Sequence, residues 1–126
     1  MADKRVLIID DEDAIREVAK ICLELVGGWD VSTCGSGSEG LVLAMDQQPD
    51  AILLDVMMPG MDGPETFKRL QEEATTKSIP VILLTGRENP SEDDEFNSLG
   101  VQGIIGKPFD PLTLSSDVSK VLGWPP

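Results

Sequence analysis

Across 51–63, four apolar residues, Ala51-Ile52-Leu53-Leu54, lead into a single carboxylate, Asp55, and Pro59 and Gly60 follow within five positions. An apolar run bounded by turn residues reads as a strand covered on both faces. A strand with no wet face needs helices packed above and below it, which narrows the possible folds sharply. Asp55 falls where this strand opens into a loop, the end at which open α/β sheets bind ligands. A charge there is costly to bury without a partner, so partners are expected elsewhere in the chain.

The rest of the sequence alternates in the same sense. Lys4 to Asp10 predicts a strand around Val6-Leu7-Ile8-Ile9. Ala14, Ile15, Val18, Ala19, Cys22, Leu23 and Val26 recur at helical spacing up to Gly27-Gly28. Trp29 to Cys34 predicts a short, partly polar strand at a sheet edge, and Leu41 to Gln48 a helix stopped by Pro49. Asp62-Gly63-Pro64-Glu65 starts a helix, with Pro near its first turn and acids where the helix dipole favours them, and this helix runs to about Ala74. Ile79 to Leu84 predicts a strand, Glu92 to Leu99 an acidic helix, Val101 to Ile105 a strand and Asp110 to Leu122 a final helix. The order βαβαβαβαβα implies a doubly wound α/β fold, a parallel sheet with helices on both faces and right-handed crossovers. Gly123 to Pro126 leaves no room for a second domain, so one domain over 1–126 is expected.

Charge narrows the partners. Ten basic and twenty-three acidic residues give a net charge of −13. Such a surface repels phosphate backbones and anionic membranes, so no direct nucleic-acid binding is expected. No apolar stretch approaches the length of a membrane span, and Val6 to Ile9 is too short for a signal peptide, so a cytoplasmic setting without membrane insertion is expected. Cys22 and Cys34 are isolated and there is no histidine. A zinc site and a Cys/His catalytic pair are therefore ruled out, and Cys22 is expected to pack as a small hydrophobe.

In a parallel sheet the strand C-termini share one edge. Here that edge would carry Asp10, Asp11, Asp55, Thr85 and, just past the last strand, Lys107. Like charges this close raise each other's pKa unless a cation intervenes. All-oxygen ligands suit Mg²⁺. Asp11 and Asp55 are the expected direct ligands, Asp10 acts through water, and the Met57 backbone carbonyl completes the set. The same groups suit phosphoryl transfer to a carboxylate. Asp55 is the expected nucleophile, with Mg²⁺, Lys107 and the Thr85 hydroxyl each facing one phosphoryl oxygen.

These residues resemble the receiver domain of bacterial two-component response regulators. The resemblance rests on Val6-Leu7-Ile8-Ile9-Asp10-Asp11, on Leu53 to Gly63, on Pro80-Val81-Ile82-Leu83-Leu84-Thr85 and on Gly106-Lys107-Pro108-Phe109, in that order along nearly the whole chain. It implies a flavodoxin-like sheet in strand order 2-1-3-4-5 and a phosphorylation switch rather than a metabolic enzyme. Asp55 would accept a phosphoryl group from a sensor histidine kinase or histidine phosphotransfer protein, Asp10 and Asp11 would hold Mg²⁺, Thr85 would be the switch hydroxyl, and Lys107 would bind the phosphoryl group. The Lys107-Pro108 bond would be cis. Output would pass through the face of the fourth helix, fifth strand and fifth helix to a protein target or a homodimer mate. Two departures bear on that output: Ile104 stands where the family often has an aromatic residue, and Gly86 where Ala is more common. The resemblance also implies that Met57 and Arg87 occupy positions bordering the path of the water that would hydrolyse the phosphoaspartate.

Two other readings compete. Gly35-Ser36-Gly37-Ser38-Glu39-Gly40 matches the dinucleotide-binding pattern G-x-G-x-x-G, with Asp55 twenty residues after Gly35. It follows an edge-like second strand rather than a central first one and leaves Asp10, Asp11, Thr85 and Lys107 unexplained, so a turn with glycines at special backbone angles is the better account. Asp11-Glu12-Asp13 resembles the opening of haloacid-dehalogenase phosphatases, but the acidic pair those enzymes need after the lysine is replaced by Pro108-Phe109.

Overall fold

The computed structural model describes residues 4–86 and 98–124. Its elements are β1 (Arg5–Ile9), α1 (Asp13–Leu25), β2 (Asp30–Cys34), α2 (Gly37–Gln47), β3 (Ala51–Asp55), α3 (Gly63–Glu72), β4 (Val81–Thr85), β5 (Gly103–Gly106) and α4 (Leu114–Leu122). The five strands are parallel, in the order β2-β1-β3-β4-β5. The chain thus winds outward in one direction from β1 and returns to build the other half. The expected helix at Glu92 to Leu99 lies, apart from its last two residues, outside the described residues.

Strand periodicity divides the core in two. Ile52 and Leu54 of β3, with Leu7, Ile9 and Leu83, pack with Ala44 of α2 and Phe67 and Leu70 of α3. Leu53, with Val6, Ile8, Ile82 and Leu84, packs with Ala19 and Leu23 of α1 and Leu114 and Val118 of α4. Successive residues of a strand point to opposite faces, so β3 has no polar residue before Asp55. Ile52, Leu53 and Leu54 are wholly buried, and each contributes about 1.5–3 kcal/mol of transfer free energy.

Helix limits differ from the sequence expectation in two places. Helix α2 begins at Gly37, four residues early, because the Ser36 side chain accepts the Glu39 N–H and caps it. None of Gly35, Gly37 and Gly40 has a positive φ, so the expectation of special backbone angles is wrong. Two of these glycines are contact glycines instead. A Cβ on Gly37 would fall within 3.0 Å of the Thr66 hydroxyl, and one on Gly40 within 3.0 Å of the Ile9 side chain. Helix α4 begins four residues late, since Asp110 accepts the Leu112 N–H at 2.9 Å and holds 110–113 as a turn. Cys34 is buried, whereas Cys22 is only partly so.

At the N-terminal end of the strands, Trp29 meets Trp124 edge to face with 5.2 Å between ring centroids, and Lys4 Nζ lies 4.8 Å from the Trp124 ring. This cluster ties the start of β2 to the end of α4.

Candidate functional site

Strand register assembles the site. Ile9 pairs with Leu54, and Asp55 pairs with Leu84. One step past β1, Asp10 therefore lies beside Asp55. Thr85 pairs with Gly106 one row further on, and Lys107 follows. The pleat sends Asp10, Asp55 and Lys107 toward the same face. Lys107 N–H donates to the Thr85 carbonyl at 2.8 Å, and the Lys107-Pro108 bond is cis.

Carboxylate oxygens of Asp10, Asp11 and Asp55 lie within 4.8 Å of one another. Asp10 is fully buried and Asp55 is 3% exposed, while Asp11 faces solvent. Lys107 Nζ donates to Asp10 Oδ2 at 2.9 Å and to Asp55 Oδ1 at 3.1 Å. The other Asp10 oxygen accepts the Glu12 N–H at 2.9 Å. Asp10 thus has both oxygens engaged by the protein, whereas Asp11, though exposed, brings its carboxylate to Asp55.

The loop after β3 is shaped by close backbone contact. Gly63 N–H donates to the Val56 carbonyl at 2.9 Å, and a Cβ on Gly63 would meet the Asp55 carbonyl and the Val56 Cα within 3.0 Å. Asp62 caps α3 by accepting the Glu65 N–H at 2.9 Å. Met57 stands in this loop with its side chain 78% exposed. Thr85 closes β4 and is buried.

Burial, and next the charge of Asp10, push the Asp55 carboxyl up to about 6, against the opposing pull of Lys107. Burial alone would lower the Lys107 pKa, but its bonds to Asp10 and Asp55 outweigh burial and hold it above the usual lysine value. One ammonium against three carboxylates leaves an excess of negative charge. A divalent, oxygen-seeking cation fits that excess and that donor set.

Two residues at the site escaped the sequence reading. Glu12 Oε1 lies 3.5 Å from Lys107 Nζ. Arg16 Nη1 donates to the Asp10 carbonyl at 2.6 Å. Arg16 could have been suspected: it is a cation in the first turns of a helix, where the dipole disfavours positive charge. Arg87 lies outside the described residues.

A family model for the response regulator receiver domain matches residues 6–119. The chain belongs to the response regulator receiver domain family, a family of signalling domains. It is similar to the phosphate regulon transcriptional regulatory protein PhoB of Pseudomonas aeruginosa, 34% identical over 122 residues that cover 97% of this chain and 53% of that protein. It is similar also to the DNA-binding dual master transcriptional regulator RpaA of Synechocystis, 39% identical over 118 residues, with 94% and 48% covered. The chain spans about half the length of these curated relatives. Among solved structures, the Vibrio cholerae chemotaxis protein CheY4 superposes with a TM-score of 0.87 at 33% identity, over 95% of this chain and 99% of that one. Strand order 2-1-3-4-5 and the flavodoxin-like fold agree with the sequence expectation. The dinucleotide and phosphatase readings find no support, and the glycine run that prompted the first serves the packing of α2. Receiver domains bind Mg²⁺ at their acidic pocket, as the three carboxylates here suit. No described helix is long and apolar enough to cross a membrane.

Proposed function

We propose that this chain is a phosphorylation-dependent signalling switch in which Asp55 is the phosphoacceptor. The observation that carries the reading is the meeting of Asp10, Asp11 and Asp55 within 4.8 Å beside a lysine bonded to two of them. Asp10, Asp11, Asp55 and the Met57 carbonyl are the proposed Mg²⁺ ligands, Asp10 through water. Bound there, Mg²⁺ would supply positive charge for the phosphoryl oxygens.

Receiver domains interact with histidine kinases and downstream effectors. Here the donor is proposed to be a phosphohistidine on a sensor kinase or phosphotransfer protein, or a small acyl phosphate. An Asp55 carboxylate oxygen attacks phosphorus; with a phosphohistidine the P–N bond breaks and the imidazole nitrogen takes up a proton from solvent, and with an acyl phosphate the P–O bond breaks and the carboxylate leaves. Lys107 gives up its bond to Asp55 and turns to a phosphoryl oxygen. The Thr85 hydroxyl bonds another, and its strand end moves inward. Attack of water on phosphorus breaks the bond to Asp55, returning the carboxylate and releasing inorganic phosphate. The chain thereby promotes its own phosphorylation and its own slow dephosphorylation, without being a metabolic enzyme.

Phosphorylation shifts the balance of two conformations. Ile104 already packs, partly buried, against the core on the α2/α3 face, so its movement is smaller than an aromatic ring's. The readout surface is proposed around β5, α4 and the helix expected at Glu92 to Leu99, toward a protein target or a homodimer mate. A cytoplasmic setting, a single domain over 1–126 and no direct nucleic-acid contact complete the proposal.

Acetyl phosphate with Mg²⁺, followed by intact-mass measurement, tests it. Wild type gains one phosphoryl mass, lost on chelation of Mg²⁺ before the donor is added. Asp55→Asn gains none. An equal gain in Asp55→Asn overturns the assignment.

A further inference from the structure

Asp10 is held at every polar atom. Its N–H donates to the Cys34 carbonyl at 3.1 Å, one carboxylate oxygen accepts from Glu12 and the other from Lys107. Its carbonyl accepts from Arg16 Nη1 at 2.6 Å. That carbonyl belongs to the planar Asp10–Asp11 peptide, so fixing its direction fixes the direction in which Asp11 leaves the strand end. Asp11 is solvent-facing, and among the described residues its carboxylate meets the Asp55 carboxyl rather than a basic side chain; how it meets Asp55 follows from the direction that peptide gives it.

Arg16 is suited to the task. Its second terminal nitrogen, Nη2, pairs with Asp13 in the first turn of α1, and its side chain is 20% exposed. The guanidinium therefore grips the turn between β1 and α1 from two sides, which a lysine's point charge cannot reproduce. The loop after β2 leaves room for it. A Cβ on Gly35 would come within 3.1 Å of Arg16 Nη1. Gly35 has no positive φ, so what a larger residue would disturb there is the guanidinium rather than the backbone.

We propose that Arg16 is a positioning residue, which through the Asp10 carbonyl orients Asp11 and so sets the affinity of the Asp10/Asp11/Asp55 cluster for Mg²⁺. The inference rests on the Mg²⁺ site proposed above. It assigns Arg16 no contact with the ion or with phosphate.

The test is calorimetric titration of Mg²⁺ into wild type, Arg16→Gln, Arg16→Lys and Gly35→Ala, with thermal melting in EDTA alongside. Loss of a group that orients a ligand weakens metal binding by roughly tenfold or more, and Arg16→Gln and Arg16→Lys are both expected to do so. Gly35→Ala, which crowds the guanidinium without changing charge, is expected to weaken binding in the same sense. Phosphorylation by acetyl phosphate should slow in all three at limiting Mg²⁺ and recover at saturating Mg²⁺. Unchanged Mg²⁺ affinity in Arg16→Gln with a lowered melting temperature makes Arg16 merely structural and overturns the proposal. Wild-type affinity in Arg16→Lys overturns the two-sided grip. Should Arg16→Gln fail to fold, Arg16→Lys and Gly35→Ala decide the matter by the same measure. Absence of Mg²⁺ binding by wild type would sink the metal site itself, a result distinct from all of these.

Discussion

Lys107 Nζ lies 3.1 Å from Asp55 Oδ1, yet Asp55 holds its proton up to about 6. The ammonium is shared with Asp10 at 2.9 Å, so it only partly offsets burial and the neighbouring negative charge.

That relationship has a sign. The folded protein binds the Asp55 proton more tightly than the unfolded chain, whose carboxyl has the ordinary value of 3.8. Below about pH 4 the carboxyl is protonated in both states and folding loses nothing. As pH rises through 6 the cost of an ionised Asp55 becomes complete. Asp55→Asn should therefore stabilise the metal-free protein at pH 7.5 by on the order of 1–2 kcal/mol, after allowing for the lost Lys107 bond. The gain should vanish near pH 4. Urea unfolding in EDTA at the two pH values measures it, and a gain independent of pH would contradict the account.

Two glycines near the site should respond oppositely to alanine. At Gly63 the new Cβ would press on the Asp55 carbonyl and Val56 Cα, backbone atoms that cannot move aside. A loss of about 2 kcal/mol or more is expected. At Gly86 the nearest atom, the Lys107 carbonyl oxygen, is 3.8 Å away and φ is not positive. Gly86→Ala should leave stability unchanged or raise it by about 0.5 kcal/mol through the unfolded chain. Urea midpoints of the two variants, read against wild type, check both directions.

The thiols should differ in reactivity. Burial, foremost, raises Cys34 to about 11, although its bond to the Ser36 carbonyl pulls the other way. Only the thiolate reacts. Iodoacetamide at pH 8 should add one group to the folded protein, at the partly exposed Cys22, and two groups in urea. Peptide mass mapping that finds Cys34 modified first would refute this.

Met57 is 78% exposed in the loop that follows Asp55. The resemblance implies that this position borders the path of water to a phosphorylated Asp55, where a bulky apolar side chain would obstruct it. Met57→Asn should shorten the lifetime of the phosphoprotein by roughly 3–10-fold, followed as decay of the phosphorylated mass after removal of the donor. An unchanged lifetime would release Met57 from this role.

The fold was legible because its central strands are continuous apolar runs, and a strand such as Ile52-Leu53-Leu54 has only one way to be dry on both faces. The convergence of Asp10, Asp11, Asp55 and Lys107 was legible for a related reason: each ends or follows such a run. The start of α2 was not legible. Gly37 and Gly40 are poor helix formers and masked the local signal, the Ser36 cap on the Glu39 N–H; what favours glycine at both positions, the closeness of Thr66 and Ile9, lies elsewhere in the chain. The start of α4 was obscured by the Asp110 turn. Glu12 and Arg16 were missed because charged residues early in a surface helix look like any solvated face. What sets them apart is, for Arg16, the Asp10 carbonyl at the preceding strand end and, for Glu12, Lys107, which only the sheet brings near.

Trp29 and Trp124 meet at the start of the strands, a full strand length of about 16 Å from the acids. The molecule's natural fluorescence is thus a gauge of whether the polypeptide is assembled, and a poor witness to an ion or phosphate arriving at the far end. An observer of the switch in real time must bring a dye to that end of the sheet, or watch mass instead of light.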